Sequence, residues 1–171
     1  EFRRVLFRSA RQNIIEAFLG NILDPTVYFF DINKVKMAKL VGWQDVTGSP
    51  FTLELERKAA NDYVAKSPSG FKVDGTKVET LLASLPGLKA EKLLGPKSSP
   101  KHEAKLGLSD GALEISLTID GDKDPYHLTI GGPSGMEGFH ATSNKVLSDI
   151  FLAPKGILEQ VKSKPAFLKK D

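Results

Sequence analysis

The chain has no cysteine, three histidines, one tryptophan and, beyond its first nine residues, only two arginines, Arg11 and Arg57. Without cysteine there is no disulfide framework, no thiolate nucleophile and no cysteine-ligated metal. The lysines are dispersed along the chain. With so few arginines this argues against a nucleic-acid partner. No apolar run is long enough to span a bilayer; the best, IIEAFLGNIL (14–23), is short and carries Glu16.

What is present is ordinary for a folded chain. There are 171 residues, 40% hydrophobic and 26% charged, enough for one domain with a real core. The opening nine residues, EFRRVLFRS, are read as the in-frame translation of a sequencing adapter and are set aside as non-native. Without them 21 basic and 20 acidic residues remain, so the net charge falls from +3 to +1 and the apparent basicity largely disappears. A native N-terminal region, with a membrane tether, is expected upstream of this fragment.

Period-2 alternation is the strongest signal. Phe51, Leu53 and Leu55 alternate with Thr52, Glu54 and Glu56, and Leu113, Ile115, Leu117 and Ile119 with Glu114, Ser116, Thr118 and Asp120. Tyr126, Leu128 and Ile130, like Val35 and Met37, continue the pattern, which predicts antiparallel strands with one wet face. TKVETLLASL predicts a helix that buries Val78, Leu81, Leu82 and Leu85, with Thr76 and Glu79 as a capping box and Pro86-Gly87 as its end. PKGILEQVKSK predicts a second helix with Ile157, Leu158 and Val161 inward. The fold class expected is α+β: an antiparallel sheet in two similar strand-rich lobes, each with a packed helix. The halves, about 32–94 and 106–171, are joined by an exposed loop, 95–105. PTVYFFD and PAFLKKD share a spacing, so residues 10–31 are read as the tail of a preceding, truncated unit.

Chemistry is harder to find. The stretch LTIGGPSGMEGFHATS (128–143) has the glycines of a phosphate loop, but it lacks the lysine and hydroxyl in register and a following helix. A hairpin turn accounts for it. Asp120, Asp122 and Asp124 in DGDKD alternate as in a calcium loop. Pro125 and Gly131, however, stand where that pattern needs glycine and glutamate, so a solvated hairpin tip is expected. His127 and His140 share the polar face of neighbouring strands and could lie diagonally close, while His102 sits in the distant loop; two histidines make a poor zinc site. Ser134 is not in a GxSxG elbow. Trp43 and Tyr63 are expected to pack in the core or at its rim. No catalytic, cofactor-binding or metal-binding residue is assigned; His127, His140, Asp120, Asp122 and Asp124 are the only candidates.

The order of FFDINKVKMAKL, FTLELERK, GFKVDGTKVETLLASLPGLKAEKL, LGLSDGALEISL, HLTIGG, GFHATS, DIFLAPKGILEQV and KPAFLKKD resembles the bacterial domain-of-unknown-function 4340 family, from about residue 28 onward. Tyr63 stands where that family usually has tryptophan, and GLSDGAL lacks a usual proline. The resemblance implies a membrane-anchored protein of the bacterial envelope, its domain on the extracytoplasmic side, beside a transporter component of the gliding-motility type. It supplies no catalytic residues and no cofactor. The function expected is therefore that of a non-catalytic accessory module with a membrane-protein partner. The alternatives are a small-ligand or glycan-binding module using loops 95–105 and 131–138, and an uncharacterised enzyme resting on the His127/His140 pair.

Overall fold

The alternating segments all become strands, and they join in one sheet. The computed structural model describes residues 26–96, 100–109, 111–135, 138–146 and 149–170. The adapter reading of residues 1–9, and all of the 10–31 tail before Thr26, lie outside them. In chain order the elements are β1 (Val35–Gly42), α1 (Gln44–Thr47), β2 (Phe51–Ala59), β3 (Asp62–Ser67), α2 (Gly75–Ser84) and β4 (Lys92–Pro96). Then come α3 (Pro100–Lys105), β5 (Leu113–Ile119), β6 (Tyr126–Ser134), β7 (Gly138–Ser143), β8 (Asp149–Ala153) and α4 (Gly156–Ser163).

The strand order is β3-β2-β1-β5-β6-β7-β8-β4, and every neighbouring pair is antiparallel. The fold is thus α+β, and strands from both halves share a single sheet. β1 pairs with β5 at the centre, and β4 crosses to the far edge beside β8. β4 and α3 were not foreseen: KLLGP has no alternation, and α3 occupies part of the expected loop 95–105.

Alternation puts Ala38, Leu40, Leu53, Leu55, Ile115, Leu117, Leu128 and Ile130 on one face, where α2 and α4 cover them. α2 contributes Val78, Leu81 and Leu82, with Leu85 just after it; α4 contributes Leu158 and Val161. The segment from Thr26 belongs to the same core. Val27 donates its N–H to the Leu88 carbonyl at 2.7 Å, and both Val27 and Tyr28 are buried. The packed body therefore includes residues that the sequence reading placed before residue 32.

The cap of α2 differs from the capping box expected. Asp74 is the N-cap, its Oδ1 accepting from the N–H groups of Thr76 (3.1 Å) and Lys77 (3.2 Å). Thr76 thus lies inside the helix, and Glu79 is drawn away to a tertiary contact. Gly75 allows this start, because a Cβ there would lie 1.8 Å from the Asn61 carbonyl oxygen. Trp43 is the most constrained residue of the core. It is buried with φ 61°, a left-handed conformation that bulky residues avoid, and its indole N–H donates to the Val161 carbonyl at 2.7 Å, tying the end of β1 to α4.

Trp43→Phe removes that donor and leaves a void, so we expect a loss of about 2–3 kcal/mol. It would be read as a lower urea midpoint with an unchanged slope. An unchanged midpoint would show that the indole bond does not hold α4 to the sheet.

Candidate functional site: the open face and edges of the sheet

The face opposite the helices carries Met37, Lys39, Glu54, Glu56, Ser116 and His127, and it is laced with ion pairs. Lys39 Nζ lies 2.9 Å from Glu54, a cross-strand partner. Glu56 is held by Lys58 and Lys66, each at 2.5 Å, and the two ammonium groups lower its carboxyl to about 2. A bulge in β1 turns both Lys36 and Met37 outward, and Lys36 meets Asp120 at 2.6 Å. These pairs are exposed and individually weak. Between them lies a shallow groove of about 380 Å³, lined by Lys36, Met37, Glu56, Arg57 and Lys66.

The candidate residues separate. Asp120 turns to Lys36, whereas burial and then the nearby Asp122 carboxylate raise the Tyr126 phenol. Among the described residues, no three His, Asp or Glu side chains group closely enough to hold a metal. His127 and His140 do share a face, but the register Thr129↔Thr142 puts His127 opposite Asn144, four residues along β7 from His140. At about 3.3 Å per residue that is roughly 13 Å, so they are not the diagonal pair anticipated. His127 Nδ1 instead meets its cross-strand partner Ser116 Oγ at 2.8 Å, and His140 Nδ1 lies 3.1 Å from the Gly132 carbonyl. Ser116–His127 has the spacing of a nucleophile and its base. Among the described residues no carboxylate orients the imidazole, and the pair lies on an open surface rather than in a pocket.

The glycine-rich stretch is a hairpin, with Ser134 opposite Gly138. Gly131, Gly132 and Gly138 serve close backbone packing, and Gly135 the turn, at φ 56°. A Cβ on Gly131 would lie 2.5 Å from the Leu106 carbonyl oxygen, and one on Gly138 would lie 2.3 Å from that of Ala153. Gly132 N–H donates to Leu106 at 2.7 Å.

The densest polar cluster was not foreseen. Arg57 donates through Nη2 to Glu79 at 3.0 Å and through Nε to the Tyr63 hydroxyl at 3.2 Å. Tyr63 in turn donates to Glu79, which also accepts the Asn61 N–H. Arg57 is 8% exposed and Glu79 19%. Burial by itself would raise the Glu79 carboxyl, but bonds from Tyr63, Arg57 and Asn61 outweigh it and hold the group below the usual range. Burial, then Glu79, raises the Tyr63 phenol. The donors and acceptors satisfy one another, so the cluster clamps β2 and β3 to α2. A second network joins Tyr28, whose hydroxyl donates to the His127 carbonyl and accepts from Ser143 at 2.9 Å.

The fold and this face define an α+β protein: one eight-stranded antiparallel sheet with α2 and α4 on one side. On the other, an ion-paired surface over β2, β1 and β5 gives way to buried Thr142, Ile150 and Leu152 on β7 and β8. The family model of the Domain of unknown function (DUF4340) matches residues 64–170, and the chain belongs to that family. The match begins inside β3, whereas the motifs traced in the sequence start near residue 28. No curated protein and no solved structure matches the chain.

Because the Glu79 carboxyl is lowered on folding, its contribution is present above the unfolded value and is lost as pH falls through the folded one. Glu79→Gln should cost about 2–3 kcal/mol near neutral pH, since Arg57 loses its buried partner. The gap from the parent should close as urea unfolding is repeated from pH 5 down to pH 2. A gap independent of pH would mean that Glu79 acts through packing and not charge.

Proposed function

We propose that this chain is a non-catalytic binding module, held on the extracytoplasmic side of a bacterial envelope and serving as an accessory part of a transporter-linked membrane complex of the gliding-motility type. The observation that carries this is the open sheet face with its two open edges, bearing large apolar side chains in water. Val64 and Met37 are exposed toward the β3 end, and Leu93 and Leu94 on β4. Phe29, beside the buried Tyr28, is a further large apolar side chain in water, 92% exposed. Apolar groups rimmed by charges suit a protein partner better than a small molecule. The family relationship supports the envelope setting.

Against the ligand-binding alternative, Leu106 and Gly107, just after loop 95–105, pack backbone to backbone on Gly131 and Gly132. Among the described residues, Ser116 bonds His127, and Arg57, Tyr63 and Glu79 bond one another, which favours a partner over a reaction.

The test is a tagged full chain crosslinked in native cells and recovered from detergent-solubilised membranes. A transporter component enriched over an unrelated envelope domain is the expected outcome; recovery without any membrane protein would end the proposal. A thermal scan against nucleotides, divalent metals and sugars gives the opposing arm. A ligand at a hundred times its dissociation constant adds about 2.7 kcal/mol of stability, and such a rise would replace the partner reading with a ligand one.

A further inference from the structure

β3 is an edge strand, paired only with β2. Among the described residues, no main-chain hydrogen bond of Asp62–Ser67 goes to anything but that neighbour, so its outer row of N–H and C=O groups is open. The other edge, β4, is blunted by a bulge between Leu93 and Gly95 and by Pro96. β3 also has a bulge, at Lys66, but no internal proline. Its side chains alternate, with Tyr63 buried and Asp62, Val64 and Lys66 exposed on the open face.

The order of those three residues is self-complementary. If a second β3 is laid antiparallel to the first about an axis through Val64, Asp62 of one copy falls opposite Lys66 of the other. Val64 meets Val64, and Lys66 meets Asp62. Both charge pairs are then opposite in sign, and the exposed apolar side chain, 44% exposed in the single chain, lies at the centre. A two-fold axis requires this kind of self-matching, in which residue i contacts j and j contacts i. In a single chain, Lys66 and Lys58 share the one carboxylate of Glu56, which leaves one ammonium charge of the three groups uncompensated. A facing Asp62 supplies the missing anion.

We propose that the β3 edge is a self-association surface, and that two copies of this chain pair antiparallel through Asp62–Lys66 into a continuous sixteen-stranded sheet. The β2–β3 ladder shifts register at both ends of this stretch, between Tyr63 and Asp62 and at Lys66, so only Tyr63–Ala65 pair regularly. The charged ends meet through their side chains, so the contact is small and the dimer forms and dissociates with concentration. The inference does not rest on the transporter-partner reading, since it leaves β4, Phe29 and most of the open face uncovered.

The test uses the full chain in sedimentation velocity over a concentration series, with two charge reversals. Asp62→Lys places lysine opposite Lys66 at both ends of the contact, and Lys66→Asp places aspartate opposite Asp62. Each variant alone should self-associate at least tenfold more weakly than the parent, which shifts toward twice 18.6 kDa. An equimolar mixture of the two variants should recover the dimer, because every opposing pair is then again of opposite sign. Recovery in the mixture also shows that both variants are folded. A parent that stays monomeric into the millimolar range would overturn the proposal. So would a dimer insensitive to both reversals, or a mixture no more associated than its components while circular dichroism shows both variants folded.

Discussion

The antiparallel pairing of β1 with β5 makes one sheet out of two strand meanders, and the rest of the structure follows from it. In that pairing Ala38 faces Leu117 and Leu40 faces Ile115, all four on the helix side. A slip of one residue would turn every one of them into water. The end of the ladder is fixed sterically: at Gly42 a Cβ would lie 2.7 Å from the Ala112 carbonyl oxygen, and the next residue is the strained Trp43 anchored to α4. Register, sheet face and helix placement are therefore set together at one point.

Once the apolar side chains of β1, β2 and β5 share a face, the opposite face of those strands must live in water. The ion pairs of Lys39 with Glu54, and of Glu56 with Lys58 and Lys66, keep that face solvated more than they stabilise it. The stabilising polar contacts lie elsewhere. Arg57, Tyr63 and Glu79 join strands to helix, and Tyr28 fastens the first described segment to β6 and β7. Each buried polar group there has a partner, which is why the tightest polar cluster reads as a clamp rather than as a catalytic centre.

An open sheet also leaves two edges, and the chain treats them differently. Both carry a bulge; β4 adds a proline that discourages further pairing, while β3 adds charge, with Asp62 and Lys66 flanking Val64. Charge on an edge repels most neighbours but selects a complementary one. The family to which the chain belongs fixes its ancestry without assigning a reaction, so what the molecule does is argued from surfaces and not from a cleft.

Local environment was legible in the residues themselves. The alternation of Leu113, Ile115 and Leu117 with Glu114 and Ser116 specified a half-buried strand. The stripe Val78–Leu81–Leu82–Leu85 specified a helix on that strand's dry face, and the glycines of 131–138 a turn. Each of these is a short-range property, because a side chain's period reports which side of its own element is wet. What the pattern could not carry was the pairing of distant elements. β4 has no alternation to announce it, and its place at the far edge follows from a crossover. The separation of His127 from His140 follows from the ladder between β6 and β7. The switch of the α2 cap from Thr76 to Asp74, with Glu79 freed for Arg57, depends on Asn61 of the β2–β3 turn approaching Gly75. The sequence by itself determined which residues are strand, helix and turn; only the tertiary structure decided which of them meet, because register and close backbone approach are fixed by non-local contacts that no local period encodes.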